Sequence, residues 1–463
     1  MKVILLRRHT RRRWIMWEEL YREALEEGWK KLQKIPGVIT GFHSTIDGLK
    51  RVDEELLKKL LAQFPHMKNI PDEPTLVIRT PEDLISDLLI SIREGLAYQR
   101  MIENEETFKW TLENIGYDQL RLGGTSANMA SLLSPLPINK ILVYANPLTK
   151  ELAELFPERE NLFVLTREDG RPVLKSPRKA WKDQGIFAIH WILEYNKGLK
   201  VELDGVSFES PRANRFIAAW NPVNCRLKVS EEFKEDIFLI SDRFTHFLVS
   251  GFHILLEKYP EGKTCEDFIV PVASFVKEMR EKLGLKVHYE FASIGSPVIR
   301  GLVAKYIFPV IDSLGLNEIE FATLLNDFGE QELSQELKDT RFPVVKLVDG
   351  LLKVIKRTTL KRIQLHTLGH YISITRERNE LEERTALLFS AILAATRSLL
   401  GRYETLDDLK KGLEVPTITL TGYEGIRKID DFNLIIVPTK VVQSPKLTVG
   451  LGDIISSSGF LLS

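Results

Sequence analysis

A glycine-rich turn with a single acidic residue lies close to the C-terminal end of the chain. Gly450 and Gly452 flank Leu451, and Asp453 follows just before a run of small residues. Glycines let a backbone approach a ligand closely, and the free amides at a helix start bind phosphate groups. A carboxylate there opposes anion binding unless it has another task, such as accepting the proton of an attacking hydroxyl. The alternative is a strand-to-helix turn that Asp453 merely caps.

Two further segments combine polar side chains or glycines with the ends of predicted elements. The strand predicted for residues 37–42 ends in the polar turn 43–48, which contains Asp47. Ligand contacts in open α/β sheets come from such strand ends, although Asp47 is equally well placed as a helix N-cap. Gly123 and Gly124 again precede a predicted helix start. These patterns indicate ligand contacts without identifying the ligand.

The composition excludes several classes of protein. The chain has 463 residues, 44% hydrophobic and 28% charged, and its formal net charge is +0. It is therefore long enough for one large core or for several domains, and no global field favours nucleic acid or an anionic membrane. Only Cys225 and Cys265 are present, which argues against a disulfide framework and suits a reducing cytosol. No apolar run is long enough to span a bilayer, so we expect a cytoplasmic protein without a membrane partner.

The N-terminus has the one unusual composition. A short apolar stretch precedes the basic residues 7–13, which is the reverse of the order in a signal peptide. A basic cluster can contact nucleic acid, but a solvated, disordered tail over residues 1–15 is the preferred interpretation.

The elements that position these residues alternate between strand and helix. Apolar spacing predicts helices over 17–32 and 80–101. Strands are predicted at 37–42, 140–144, 162–165, 186–193, 247–251, 286–291, 363–367 and 433–438. Such alternation is typical of a largely parallel sheet covered by helices on both faces. We therefore predict one large α/β domain with a smaller β-rich lid.

Taken in order, these motifs resemble the archaeal ADP-dependent sugar kinases, the glucokinase and phosphofructokinase family of the ribokinase-like fold. The resemblance runs from about Trp17 to the C-terminus. It rests on residues 41–48, 122–130, 211–217, 288–292, 315–320 and 448–457. It implies an α/β/α domain with a mainly parallel central sheet, in a kinase over residues 16–463 whose lid comes from about 44–135 and 160–220. It also implies ADP as phosphoryl donor, Mg²⁺ or another divalent cation as cofactor, and a monomer or homodimer.

The resemblance implies roles for the C-terminal turn and for one arginine. Asp453 is similar to the family's catalytic base, and Gly450 and Gly452 to the anion hole that holds the transferred phosphoryl group of the nucleotide. Arg215 is similar to the arginine that reaches from the lid to the nucleotide phosphates, with a surface ion pair as the alternative.

The same resemblance implies a metal site and a nucleotide site. Glu290 and Glu320 are similar to the family's metal-site acids, and their alternative roles are on a helix face or in a cap. His366, His370 and Tyr371 lie where the family's adenine pocket begins. His370 or Tyr371 would stack on the base, or each is a buried core aromatic.

The acceptor pocket departs from the family. The implied contacts are His43, Thr45, Asp47, Gln99, Gly124, Thr125, Lys175, His190 and Asn196. His43 and Thr45 stand where hexose-using relatives have asparagines, Gln99 stands where glucokinases have a glutamate, and Thr125 replaces a glutamine. Each lost hydrogen-bond partner of a buried hydroxyl costs about 1–3 kcal/mol, so these changes argue against glucose as the best substrate.

Three positions bear on a phosphate in the acceptor. Lys175 is similar to a phosphate-binding lysine of phosphofructokinases, whereas His190 is similar to a glucokinase residue and Asn196 replaces a phosphate-binding arginine. The pattern favours the ADP-dependent ribose-1-phosphate kinase branch, which phosphorylates O5 of the pentose. The alternatives are a glucokinase or phosphofructokinase with an unusual pocket, and a catalytically silent binding protein on the same scaffold.

Overall fold

Runs of buried apolar residues separated by amphipathic segments form the strands and helices of the protein. The computed structural model describes residues 2–463 except 68, 183–186, 204–205, 241–243, 378 and 419, and leaves the side chains of 2–15 and 206 undescribed. The strands are β1 Val38–Gly41, β2 Thr45–Arg51, β3 Val77–Ile78, β4 Tyr98–Ile102, β5 Gln119–Gly123, β6 Ile141–Val143, β7 Leu162–Glu168, β8 Arg171–Lys175, β9 Ile189–Tyr195, β10 Lys200–Leu203, β11 Val206–Glu209, β12 Asn214–Trp220, β13 His246–Val249, β14 Lys286–Glu290, β15 Ser313–Asn317, β16 Arg362–His366, β17 His370–Thr375, β18 Gly425–Ile429 and β19 Phe432–Pro438.

The helices follow the amphipathic segments of the chain. They are α1 Lys2–Leu32, α2 Glu54–Leu61, α3 Pro81–Glu94, α4 Glu105–Asn114, α5 Thr125–Leu133, α6 Lys150–Leu155, α7 Pro177–Ala180, α8 Glu231–Ile237, α9 Glu266–Leu283, α10 Pro297–Tyr306, α11 Glu318–Asp327, α12 Gln331–Asp339, α13 Val344–Lys356, α14 Glu380–Leu400, α15 Leu406–Leu413 and α16 Leu451–Leu461. None of the described helices combines the length and the apolar character that crossing a membrane requires.

A large mixed sheet forms the centre of the molecule. Its order is β18-β19-β17-β16-β15-β14-β13-β1-β6-β7-β8, and it has 11 strands. The pairs from β16 through β1 to β7 are parallel, and antiparallel strands flank them at both edges. Because a parallel sheet must be covered on both faces, the residues of its central strands are almost all buried. The predicted mainly parallel α/β sheet is confirmed.

Two hydrophobic clusters cover the opposite faces of this sheet. Successive residues of β19 point to opposite sides, so Ile435 packs into the cluster with α1, α14 and α16, and Ile436 into the cluster with α9, α11 and α13. This three-layer arrangement holds the carboxyl ends of the parallel strands at one edge, where ligands bind in such folds.

A second, smaller sheet of 6 strands has the order β3-β4-β12-β9-β2-β5. One face buries Trp191, Leu193 and Phe216 under helices, whereas the partners Asp47 and His190 share the opposite face. All its strands fall within the ranges predicted for the lid, and its role as a lid stays a prediction. Strands β7 and β8, within the range 160–220 assigned to the lid, pair instead with β6 of the large sheet. Each sheet has an edge strand whose backbone can hydrogen-bond another strand. The apolar periodicity of β7 and β8 therefore does not determine which sheet their hairpin joins.

The predicted helix 80–101 is the shorter helix α3, which ends where Gly95 adopts a left-handed conformation at φ 63°. Strand β4 then begins at Tyr98. The backbone of residues 2–15 continues α1, whereas a disordered tail was expected there. The side chains of this segment are not described, so its interpretation as a solvated tail stays a prediction.

Candidate active site

The candidate site lies where strand ends of the large sheet meet the small sheet. Strand β1 passes directly into β2 through residues 42–44, so the chain crosses from one sheet to the other at this point. The turn before α16 lies nearby, because Asn128 in the first turns of α5 hydrogen-bonds Asp453 while Ser126 bonds the backbone of His43. One short helix thus links the predicted base to the predicted acceptor pocket.

Asp453 lies in the first turn of α16, behind a glycine that no other residue replaces without strain. Gly450 caps the helix at φ 75°, and an added Cβ would come within 3.1 Å of Leu132. Desolvation raises the pKa of Asp453 to about 7. The hydrogen bond from Asn128 and the charge of Arg397 lower this pKa, and Glu320 raises it. Asp453 is therefore poised to exchange a proton near neutral pH.

Glu290 and His366 lie directly behind this turn. A Cβ at Gly452 would lie 3.1 Å from His366 Nε2 and 3.7 Å from Glu290 Oε1. Glu290 is 4% exposed, its Oε2 lies 3.8 Å from His288 Nε2, and Ser456 is a hydrogen-bond partner of its carboxyl group. Desolvation, followed by the charge of Glu320, raises the pKa of Glu290 well above its usual range. A buried carboxyl group beside other acids suits a divalent cation.

Glu320 has a structural task as well. Its Oε2 accepts a hydrogen bond from the Asn317 amide at 2.9 Å, and Oε1 accepts one from Ser293 Oγ at 3.1 Å. It therefore closes the capping box at the start of α11, which was the alternative interpretation for this residue. Within the described residues, no three His, Cys, Asp or Glu side chains form a cage for a metal ion. Magnesium in phosphoryl-transfer sites often uses one or two carboxylates with phosphates and water, so the metal role of Glu290 and Glu320 stays a prediction.

Asp47 lies on the open face of the small sheet. Its carboxylate lies against Gly123 of β5, where an added Cβ would collide with it. Desolvation raises the pKa of Asp47 to about 7, and the charges of Arg215 and Arg121 lower it. Arg215 is exposed on β12 of the same sheet and acts on Asp47 through its charge. Its predicted reach to the nucleotide phosphates is a proposal about a closed lid.

The structure brings several predicted acceptor residues together around the turn after β1. The His43 and His190 rings have centroids 5.4 Å apart, and Thr45 is fully buried. The carbonyl of His43 accepts a hydrogen bond from the Ser126 amide at 3.0 Å, just inside α5. Gly124 and Thr125 form the start of that helix, so they belong to the same group.

Three predicted acceptor residues lie outside this group. Gln99 is exposed on β4, opposite Ile217. Lys175 pairs with Glu168 at 2.9 Å on the edge hairpin of the large sheet. Asn196 is exposed in the turn after β9, about 20 Å along the strand from His190 at about 3.3 Å per residue.

The predicted nucleotide residues differ in their surroundings. Burial lowers the pKa of His366 to about 4, and its Nδ1 has no partner among the described atoms. His370 Nε2 lies 3.0 Å from Glu424 Oε1. Desolvation opposes ionisation of Glu424, but hydrogen bonds from His370 and Thr421 lower its pKa to about 2. Tyr371 is 5% exposed in the hydrophobic core, as the alternative interpretation had it.

The structure also reveals residues that the sequence patterns did not single out. Asn128 bonds the predicted base, although it lies inside the segment 122–130 that the motifs had marked. Arg397 of α14 donates its Nε to the Val449 carbonyl at 3.1 Å and so holds the turn before Gly450. His253 contacts the ring of His43. Arg397 lies within a helix far from the motifs, so no local signal marks it, whereas His253 closely follows the predicted strand 247–251, where ligand contacts are expected.

A three-layer α/β sheet, a glycine-flanked acid at a helix start and a small sheet facing it define a sugar kinase of the ribokinase-like class. The chain belongs to the ADP-dependent phosphofructokinase and glucokinase family, since residues 36–462 match the family model described as the ADP-specific Phosphofructokinase/Glucokinase conserved region. The predicted family, fold class and kinase activity are confirmed.

Similar proteins carry two different acceptor names. An ADP-dependent glucose/glucosamine kinase of Pyrococcus abyssi is 34% identical, over 96% of this chain and 98% of its own. An ADP-specific phosphofructokinase of Methanosarcina acetivorans is 31% identical, over 96% of both chains. A solved last common ancestor of ADP-dependent phosphofructokinases from Methanosarcinales has a TM-score of 0.83 at 32% identity, covering 96% of this chain and 97% of the other. An ADP-dependent kinase in complex with fructose-6-phosphate and ADPβS has a TM-score of 0.79 at 30% identity, with coverages of 96% and 97%.

Proposed function

We propose that the protein transfers the β-phosphoryl group of ADP to a hydroxyl of a sugar phosphate, producing AMP, with Asp453 as the general base. The observation that carries the proposal is the setting of Asp453: it follows a glycine turn at the start of α16, and its pKa is about 7. At neutral pH a large fraction of this carboxyl is ionised, and the helix start supplies amides to an incoming phosphoryl group.

The mechanism follows from the residues around this turn. Asp453 accepts the proton of the acceptor hydroxyl as its oxygen attacks phosphorus, and the amides around Gly450 and Gly452 bind the equatorial oxygens. When bound, a divalent cation at Glu290, with Glu320 nearby, supplies positive charge to the phosphates. Closure of the lid would bring Arg215 to the phosphates and exclude water from the site.

The favoured acceptor is ribose-1-phosphate, with O5 as the attacking oxygen. Support comes from the changed hexose contacts at His43, Thr45 and Thr125, which lie together beside α5. Arg121 and Arg215 act on Asp47 from the same lid sheet and would suit the acceptor phosphate. Lys175, the residue first expected to bind this phosphate, is paired with Glu168 and contributes little to the proposal.

Glucose and fructose-6-phosphate are the second candidates, because relatives of similar identity are named for those two activities. The pairing of His190 with Asp47 across β9 and β2 favours this alternative, since His190 is similar to a glucokinase residue. A catalytically silent scaffold would not need a buried Glu290 near an Asp453 whose pKa is near neutrality.

The test is AMP formation from ADP and Mg²⁺ with ribose-1-phosphate, fructose-6-phosphate and glucose in parallel. We expect the highest kcat/KM for ribose-1-phosphate. A preference for either hexose would reject the pentose assignment and return the protein to the branch named by that relative. Phosphorylation of the acceptor without release of AMP would reject ADP as the donor of its β-phosphoryl group. No phosphorylation of any acceptor would reject the proposed reaction.

A further inference from the structure

Two buried histidines and one partly buried histidine meet where the two sheets join. His43 follows β1, His190 lies on β9 of the small sheet, and His253 lies in the short 3-10 helix Phe252–Ile254 after β13. The centroid of the His43 ring lies 5.4 Å from that of the His190 ring and 5.1 Å from that of the His253 ring. The cluster therefore combines side chains from both sheets, and two of its members, His43 and His190, are predicted acceptor contacts.

Several nitrogens of this cluster lack hydrogen-bond partners. His43 is 2% exposed, and neither of its ring nitrogens has a partner among the described residues. His253 Nδ1 is unpartnered in the same sense. Only His190 is engaged, since its Nε2 lies 3.2 Å from Asn221 Nδ2. Buried polar atoms are nearly always satisfied in native proteins, so these nitrogens indicate a position where a ligand or water binds.

The backbone around the cluster is built to hold the rings in this arrangement. The His43 amide donates to Ser126 Oγ at 2.7 Å, and its carbonyl accepts from the Ser126 amide at 3.0 Å. Gly251 has φ 108°, and a Cβ there would lie 2.8 Å from His43 Cβ. The segment that carries His253 can approach His43 this closely only with glycine at 251. Fixed backbones with free ring nitrogens are typical of a preorganised binding site.

The charge state of the cluster distinguishes two kinds of ligand. Burial, followed by the nearby His253 and His190, lowers the pKa of His43 well below its usual range. A neutral imidazole offers one donor and one acceptor, which matches a hydroxyl group. A phosphate only accepts hydrogen bonds, so it would need every contacting nitrogen to carry a proton. The titratable groups that act on His43 are these two histidines, and neither supplies a permanent positive charge.

We infer that His43, His190 and His253 form a hydroxyl-binding subsite for the acceptor, in which His253 determines specificity. This inference rests on the proposed function and adds a residue and a contact to it. The cluster would bind a ring hydroxyl of the sugar, while the phosphate of the acceptor lies elsewhere, towards the arginines of the lid. His253 thereby selects acceptors by a hydroxyl rather than by charge.

The first test replaces His253 with phenylalanine, which keeps a ring and removes both nitrogens. We expect the acceptor KM to rise about 10- to 100-fold, because a hydrogen bond to a buried hydroxyl is lost, while the KM for ADP stays unchanged. His253→Asn retains a polar group near the Nδ1 position and should recover part of the loss. The matched control is His246→Phe, a buried histidine at the opposite end of β13 whose Nδ1 lies 2.9 Å from Thr245 Oγ1.

The second test identifies the contacted group with monodeoxy analogues of the best acceptor. For one analogue, wild type and His253→Phe should have equal KM values, because that analogue lacks the hydroxyl in question. If the KM values of wild type and His253→Phe are equal only for an acceptor that lacks its phosphate, the cluster binds the phosphate and the inference is overturned. An unchanged acceptor KM in His253→Phe, with normal melting, would also overturn it.

Failure of the proposed function is distinguishable from failure of this inference. If the wild type forms no AMP with any acceptor, calorimetric binding of the same sugars decides the question. Binding that weakens in His253→Phe but not in His246→Phe supports the subsite, and the absence of sugar binding by the wild type rejects it. If His253→Phe fails to fold, His43→Phe takes its place in both measurements.

Discussion

The reactivity of Asp453 depends on single residues that are far apart in the sequence. Asn128 donates a hydrogen bond from α5, Arg397 contributes charge from α14, and Glu320 opposes ionisation from α11. Desolvation is the largest of these effects and raises the pKa. Their balance places the pKa near 7, where a carboxylate is a far better base than at its ordinary pKa.

Replacing Asp453 with asparagine removes the proton acceptor but keeps the shape of the side chain. We expect the rate of AMP formation to fall at least about 100-fold, since general bases contribute about 10²–10⁴-fold. Circular dichroism and melting should resemble the wild type, as should ADP binding. Asp431→Asn, at an exposed position, is the matched control and should be fully active. Near-normal turnover in Asp453→Asn would contradict the assigned base.

The pH dependence of the reaction provides a second residue-scale prediction. Because Asp453 must be ionised and its pKa is raised to about 7, kcat should fall as the pH drops below 7. Asn128→Ala removes a hydrogen bond that lowers this pKa, so the midpoint of the profile should move to higher pH. The measurement is kcat against pH at saturating ADP and acceptor, repeated in Asp47→Asn because Asp47 also has a pKa of about 7. An unmoved midpoint would assign the titration to another group.

At the scale of elements, the pairing of strands positions the acceptor contacts. β2 lies between β5 and β9, so Asp47 is opposite Arg121 on one side and His190 on the other. The same register places Gly123 opposite Thr45, next to the Asp47 carboxylate. A side chain at residue 123 would occupy the space that this carboxylate needs.

Gly123→Ala should therefore displace Asp47 without breaking the sheet. We expect kcat/KM for the acceptor to fall about 10- to 100-fold, because small displacements of positioning groups are costly, while the KM for ADP stays constant. Gly301→Ala is the control, since no atom lies within 4 Å of its Cβ position in α10. Alanine at that helical position should leave activity unchanged and stabilise the fold by up to about 1 kcal/mol. Equal acceptor KM values in both variants would show that Asp47 is not held against β5.

At the scale of the whole molecule, a buried cation beyond the end of β19 is among the contacts that hold α1. Lys440 Nζ lies 3.3 Å from Glu18 Oε2 and donates to the Val415 carbonyl at 2.8 Å. Its side chain is 0% exposed, whereas that of Glu18 is 32% exposed. The same ammonium lies 4.5 Å from the centroid of the Tyr21 ring, so two residues of α1 contact it. This contact joins the N-terminal helix to the segment that follows β19.

Glu18→Ala should destabilise the protein because it leaves the Lys440 charge buried without a counter-ion. We expect a loss of about 2 kcal/mol in the free energy of unfolding, less than for a fully buried pair because Glu18 is partly exposed. Glu19→Ala, at the exposed neighbouring position, should change it by less than about 0.5 kcal/mol. Adding Lys440→Met to Glu18→Ala should recover most of the loss, as measured by chemical denaturation. A loss that Lys440→Met does not recover would show that Glu18 acts through other contacts.

The sequence by itself determined the parallel α/β sheet, the family and the local chemistry of the motifs. The glycine turn before Asp453, the polar turn with Asp47 and the glycines before α5 were all visible, because periodicity, glycine conformation and helix starts depend on neighbouring residues. The capping role of Glu320 is equally local, since its partner Asn317 is three residues away.

Only the tertiary structure decided which of these segments meet. It joined the β7–β8 hairpin to the large sheet, buried Tyr371 in the core and put Arg215 on the same sheet as Asp47. It also brought His253 to His43 and Arg397 to the turn before Asp453. These contacts join residues separated by tens to hundreds of positions, and their energies depend on burial and approach in space. No local pattern carries that information, because the same side chain is a solvated charge or a buried ligand contact according to what packs against it.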